Sequence, residues 1–194
     1  MSDGPQAVLL DSSAYFRLGI SIHPLLRQSF GTAPKYSLQV LADLDDEYRT
    51  SNRLQHKFEW VGKKEYADDR AAKRFTVANN IRTAVDTAFS FLADYADSKQ
   101  LNVSREDLKA LAVGFAAQIP VVTDDRNMTT IATAHKIECW NTVKLLRVLV
   151  TGGRIDMAKV AEILEYLDYE KDLPMPIDKL RRVFREYFGS TCPL

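Results

Sequence analysis

Residues 103–128 read VSREDLKALAVGFAAQIPVVTDDRNM. Val103 and Ser104 lead into an acidic pair, and the apolar-rich run that follows predicts a helix over 107–118. Ile119 to Val122 is a short β-branched run that reads as a strand, stopped by Thr123-Asp124-Asp125. A helix passing directly into a strand is the step from which parallel α/β sheets are built. Ligands of open α/β sheets bind beyond the carboxyl ends of the strands, so Thr123, Asp124 and Asp125 are expected at a binding rim. Asp107, at the start of the helix, is expected to reach the same rim. Carboxylates gathered there repel one another, and a hard divalent cation is the usual reason to tolerate that. Ser104 with Asp107 three residues later also resembles a capping box with Asp in place of Glu, which gives Asp107 a structural reading as well.

The rest of the chain supplies the other layers. Ala7 to Leu10 is short, apolar throughout and cut off by Asp11-Ser12-Ser13, as a fully buried parallel strand reads. Asp11 then has two compatible places: an acid at the strand's carboxyl end, and the N-cap of a helix opening in AYFRLGI. Ile20 to Pro34 is expected to run from helix into loop. Tyr36 to Glu47, YSLQVLADLDDE, passes from strand into a helix whose buried track carries Val40, Leu41 and Leu44. Asp43 lies at the edge of that face, with Asp46 and Glu47 one turn on. Acids in a first turn also complement the helix dipole. Ile81 to Ala96 has the apolar steps of a helix, at Ile81, Val85, Ala88, Phe89 and Leu92. Met128 to His135 predicts a short helix, Ile137 to Trp140 a strand, and Thr142 to Val150 a helix. Gly152-Gly153 marks a boundary, after which Ile155 to Tyr169 and Ile177 to Phe188 predict two amphipathic helices around Leu173-Pro174-Met175-Pro176. The expected class is α/β, with residues 1–150 as one domain that includes a longer helical segment at about 49–100. Residues 151–194 are expected to be a C-terminal helical extension packed on that domain.

A chain of 194 residues buries roughly 70% of its unfolded surface, so it needs no staples. Its 26 basic and 26 acidic residues cancel, which argues against indiscriminate electrostatic binding to nucleic acid and leaves room for a local basic groove. Between Arg53 and Arg82, eight basic residues face four acidic ones, and Phe58, Trp60, Tyr66 and Phe75 are interleaved with them. That mixture suits a single strand, with phosphates neutralised and bases stacked. Lys63, Lys64, Arg70, Lys73 and Arg74 are the candidates. The plainer reading is a solvated helical pair whose aromatics are core. Cys139 and Cys192 lack metal-ligand spacing, which fits a reducing, cytoplasmic setting. MSDGPQAVLLD has no basic n-region, so no signal peptide is expected, and no apolar run approaches the ~20 residues of a membrane span.

Taken in order, AVLLDSSA, VLADLDDEY and DLKALAVGFAAQIPVVTDDRNM, followed by KIECW and a leucine-containing helix, resemble the PIN-domain nucleases. That is the fold of many bacterial toxin–antitoxin ribonucleases. The third segment is the most specific, with an Asp-led helix, a short hydrophobic strand and a Thr-x-Asp ending. The likeness runs from Ala7 to Val150. It implies a three-layer sandwich with a short central parallel sheet flanked by helices. It implies a catalytic quartet of Asp11, Asp43, Asp107 and Asp125. Asp11, Asp107, Asp125 and Asp124 are then the ligands of Mg²⁺ or Mn²⁺, and Thr123 and Ser12 support them. Asp43 stands where the family has Glu, one methylene longer, and Asp46 or Glu47 are the alternatives for completing the site. Asp124 likewise competes with Asp125. The activity implied is hydrolysis of RNA phosphodiester bonds, leaving 5′-phosphate and 3′-hydroxyl ends. Its partners would be single-stranded or structured RNA, a protein antitoxin, and a second copy in a homodimer.

Two other readings share this sheet. One is a catalytically inert PIN-like module that binds RNA or protein, its acids only capping helices. The other is a structure-specific DNA nuclease, although no glycine-rich helical clamp motif is present. No G-x-G-x-x-G follows the first strand and no G-x-x-x-x-G-K-S/T occurs, which disfavours dinucleotide and nucleoside triphosphate sites. Asp11-Ser12-Ser13 lacks the second Asp of aspartyl-phosphate phosphatases. His23, His56 and His135 are scattered singly and read as surface or core residues rather than bases.

Overall fold

A computed structural model describes residues 4–194, so the first three residues of the opening stretch lie outside it. Four strands form one sheet: β1 (Gln6–Leu10), β2 (Tyr36–Val40), β3 (Val121–Val122) and β4 (Cys139–Trp140). All pairings are parallel, in the order β2-β1-β3-β4. Parallel neighbours need crossovers, and helices supply them. Helix α1 (Ser12–Leu18) leaves β1. A long excursion between β2 and β3 holds α2 (Asp43–Thr50), α3 (Asn52–Lys57), a 3₁₀ turn at Glu59–Gly62, α4 (Lys64–Ala72), α5 (Asn79–Ser98) and α6 (Arg105–Ala117). Helix α7 (Arg126–Ala134) joins β3 to β4. Beyond β4 come α8 (Thr142–Thr151), α9 (Met157–Tyr169) and α10 (Ile177–Phe188).

Strand side chains alternate between the two faces of a sheet, and here that alternation divides two cores. Val8, Leu10, Leu38, Val122 and Trp140 belong to one, with Leu145 and Leu149 of α8, Ile163 and Leu164 of α9, and Phe184 of α10. Leu9 and Val121 belong to the other, with Leu92 of α5, Leu111 and Val113 of α6, and Ile131 of α7. The result is an α/β three-layer sandwich with a short central sheet. The last two helices bury their apolar faces in the same core as β1.

Strands β3 and β4 are shorter than the four-residue runs expected, for one shared reason. Gln118 and Lys136 adopt left-handed backbone conformations. The next N–H in each case turns back to the helix, Ile119 to Gly114 and Ile137 to Ala132. Pro120, with no N–H to give, cannot extend the ladder. Gly114 is required at this corner because a Cβ there would collide with the Val121 side chain. Ile20–Pro34 forms no α-helix, against the expectation. Pro24 interrupts it, and the buried carboxylate of Asp69 accepts from the N–H groups of Leu26 and Arg27, replacing helical hydrogen bonds. Among the described residues no helix is long and apolar enough to cross a membrane.

Candidate active site at the carboxyl edge of the sheet

The chain steps from β1 out to β2, then returns past β1 to β3, so strand order reverses between β1 and β3. Such a reversal opens a crevice beyond the strand ends, because the connecting segments leave in opposite directions. Asp11 follows β1 directly and Thr123 follows β3 directly. The Asp11 N–H donates to the Val122 carbonyl at 3.1 Å, which holds the two strand ends together.

Asp11 is 4% exposed, and its Oδ1 caps α1 by accepting from the Ala14 N–H at 2.6 Å. Burial pushes its carboxyl from the ordinary 3.8 up to about 7. Hydrogen bonds from the Thr123 hydroxyl and the Ala14 N–H pull it back, while the charges of Asp124 and Asp107 push it further up. Thr123 has a single hydroxyl proton. Met128 Sδ lies 3.2 Å from its oxygen, but a carboxylate is the stronger acceptor. The same oxygen accepts from the Asp125 N–H at 3.1 Å, and Asp125 Oδ1 caps α7 by accepting from the Met128 N–H at 2.7 Å.

Asp107 enters from the first turn of α6, with its N–H donating to the Ser104 hydroxyl at 3.0 Å. The capping reading extends to its carboxylate, whose proton affinity Ser104 lowers through both hydroxyl and N–H, while the residue also lines the crevice. Burial raises that carboxyl above its usual range, and Asp125 and Glu106 add to the effect. Asp11, Ser12, Asp43, Glu106 and Asp107 line a crevice of about 20 Å³. That is room for about one water-sized body.

Helix α2 contributes two acids with different fates. Both oxygens of Asp43 accept from Lys109 Nζ at 2.8 Å, so its charge is neutralised by α6. Glu47 has no cation within ion-pair distance among the described residues, and the Ser12 hydroxyl only lowers its proton affinity. Burial raises its carboxyl, and the charges of Asp107 and Glu106 raise it further. The α2 acid left to act on Asp107 is thus Glu47. Asp46 is exposed and lies 3.9 Å from Arg49.

Asp124 points the other way. Its Oδ1 accepts from the Thr142 N–H at 3.0 Å, and its Oδ2 from the Thr142 hydroxyl and from Arg17 at 3.1 Å. Both oxygens are committed to tying the end of β3 to α8 and α1. As a ligand it would have to give up those bonds.

The basic candidates separate as sharply. Arg70 is 4% exposed and fully engaged with Asp45 (2.7 Å), the Tyr15 hydroxyl (3.1 Å) and the Val61 carbonyl (3.1 Å). It is a core strut and does not face a ligand. Arg74 pairs with Asp45 at 2.9 Å and Lys64 with Asp68 at 2.6 Å. Lys63 is exposed and Lys73 half-buried. Lys109, bound to Asp43, is the cation at the acid crevice itself, and Arg17, Arg53 and Lys57 line a separate hollow together with Glu47. Sequence reasoning placed Arg53 and Lys57 only within the basic segment and passed over Arg17. The i, i+4 spacing of Arg53 and Lys57 on α3 was the available signal.

Among the described residues, no three His, Cys, Asp or Glu side chains are gathered tightly enough to hold a metal ion as they stand. The donor set nevertheless fits a hard divalent cation in kind. It is all oxygen, its members raise one another's proton affinity, and the caps of Asp11 and Asp125 use one carboxylate oxygen each.

No family model matches the chain, and no curated protein matches it. A solved structure, that of FitAcB from Neisseria gonorrhoeae, is similar at 14% sequence identity and a TM-score of 0.43, over 70% of this chain and 97% of that one. A likeness of that size carries nothing about activity, and the site rests on its own geometry.

Proposed function

We propose that the protein is a divalent-metal-dependent ribonuclease of the PIN-like kind, acting at the crevice between the ends of β1 and β3. One observation carries this reading. Acids from separate elements, Asp11 after β1, Glu47 on α2 and Asp125 before α7, all act electrostatically on or with Asp107 where the strand order reverses. Burying like charges together destabilises a fold, and a strongly raised carboxyl such as that of Asp11 in a cleft marks a functional site.

Asp11, Asp107 and Asp125, with Glu47 or Asp43, would hold Mg²⁺ or Mn²⁺, which when bound supplies Lewis acidity and neutralises phosphate charge. The chain's own groups do the rest. The Thr123 hydroxyl and the Ala14 N–H orient the Asp11 carboxylate. A water attacking phosphorus in line would give its proton to a carboxylate of this cluster that the ion leaves free. The new P–O bond forms as the bond to the 3′ oxygen breaks. That oxygen takes a proton from solvent, leaving 5′-phosphate and 3′-hydroxyl ends. In the toxin–antitoxin setting that the resemblance implies, a protein antitoxin would silence this edge.

One observation favours a second reading, an inert RNA-binding module: no three acids stand ready to grip an ion. Incubating purified protein with mixed-sequence single-stranded RNA separates the two. The nuclease reading expects cleavage with Mg²⁺ or Mn²⁺, none in EDTA, and a loss of about 100-fold or more in D107N. Cleavage by D107N at the parent rate removes it. Binding without cleavage under either ion leaves the module.

A further inference from the structure

On the Glu47 side of the acid crevice lies a hollow of about 230 Å³, lined by Arg17, Arg53, Lys57, Phe16, Phe58 and Asp172 among others. We propose that this hollow binds one phosphate and the adjoining base of a single-stranded RNA, and that Asp172 occupies the phosphate's place in its absence. The identity of the strand rests on the ribonuclease reading. The existence of the anion site does not.

The charge arrangement is the first reason. Oδ1 of Asp172 lies 3.3 Å from Lys57 Nζ and 3.8 Å from Arg17 Nε, so one oxygen sits between an ammonium and a guanidinium. The Lys57 contact is close, but 3.8 Å is beyond hydrogen-bonding range. Arg17 Nε is in fact a buried donor with no hydrogen-bond partner among the described residues. Buried donors are nearly always paired, and an orphan of this kind calls for an acceptor.

The backbone of Asp172 is tied down. It sits in the turn after α9, its N–H donates to the Leu167 carbonyl at 2.8 Å, and Lys171 before it is left-handed at φ 55°. The short side chain therefore holds its oxygen at a stand-off. A phosphodiester has no such tether, and its two charged oxygens can serve Arg17 Nε and Lys57 Nζ together.

The aromatic floor is the second reason. The half-buried Phe58 stacks on Phe16 at 5.0 Å and 15°, and Lys57 Nζ lies 4.9 Å from its ring centre. With Lys57 drawn from over the ring to the phosphate, the Phe16-backed ring becomes a platform for one base, and only an unpaired strand can offer a base face to it. Ser13 lines the hollow and the adjoining Ser12 lines the acid crevice, so a strand seated here runs toward the acids.

Fluorescence anisotropy with a labelled mixed-sequence oligoribonucleotide, in EDTA and across a salt series, tests this without cleavage. D172N is expected to tighten binding about fivefold by removing the competing charge. K57A is expected to weaken it about threefold or more and to reduce the salt slope by about 0.7, the value for one lost single-strand phosphate contact. Unchanged or weaker binding by D172N overturns the proposal, and so does a parental salt slope in K57A. Duplex RNA binding as tightly as the single strand overturns it too. If these shifts appear but cleavage never does, the nuclease reading fails and the anion site stands. If cleavage depends on Asp107 while the shifts are absent, the hollow alone is wrong.

Discussion

Asp11→Asn in metal-free protein isolates the cost of holding a charge at the sheet edge. In the folded chain the Asp11 carboxyl keeps its proton up to about pH 7, whereas its ordinary value is 3.8. Between those limits the native state binds more protons than the unfolded state, so this residue's contribution to stability falls as pH rises through the window and levels off above it. The gap of about three pH units, at about 1.36 kcal/mol each, gives a ceiling of about 4 kcal/mol for the destabilisation at pH 8. Asp11 is 4% exposed, so solvent screening removes little of it. Asparagine keeps the Oδ1 cap on α1 but adds an NH₂ group facing Thr123, so about 2 kcal/mol of the relief should be realised. For a chain of this size that corresponds to a rise in Tm of about 4–8 °C. Thermal unfolding in EDTA from pH 4 to pH 8 should show D11N about 2 kcal/mol less stable than its parent near pH 4, where both side chains are neutral, and overtaking it as pH rises to 7. Added Mg²⁺ should then raise the Tm of the parent and leave that of D11N unmoved. A D11N protein less stable than its parent at pH 8, or a stability difference that does not change with pH, would refute the reasoning.

Other perturbations probe the frame that holds the site. Gly114→Ala drives a methyl into Val121 and should cost about 1–3 kcal/mol, read as a lower urea midpoint with an unchanged slope. Arg70→Met leaves Tyr15, Asp45 and the Val61 carbonyl short of a donor and should cost about 3–5 kcal/mol by the same assay. Because Arg70 is a strut, RNA affinity measured well below the melting temperature should stay within about twofold of the parent. Phe184→Ala on α10 empties part of the core shared with β1 and should cost about 3–5 kcal/mol. Its circular dichroism melt should remain a single transition, and separate melting of the last two helices would contradict the shared core.

Much of this architecture is written in short-range patterns. The apolar run before Asp11, the capping pair Ser104 and Asp107, and the Ile119–Val122 run closed by Thr123 act within a turn or a few residues, so a linear reading reaches them. The helices from α5 to α10 fall within two residues or so of their apolar periodicity for the same reason. What lay beyond that reach depends on partners far along the chain. Lys109, sixty-six positions from Asp43, neutralises it and leaves Glu47 to face Asp107. Thr142 and Arg17 claim Asp124 while its neighbour Asp125 caps α7, a separation that two adjacent identical residues cannot reveal in a string. Arg70 counts as one more positive charge in the sequence, yet folding buries it against Asp45 and Tyr15. Local propensity shaped the elements. Strand order, which brings the ends of β1 and β3 side by side, set which acids share a crevice, because electrostatic coupling follows distance through space and not along the chain.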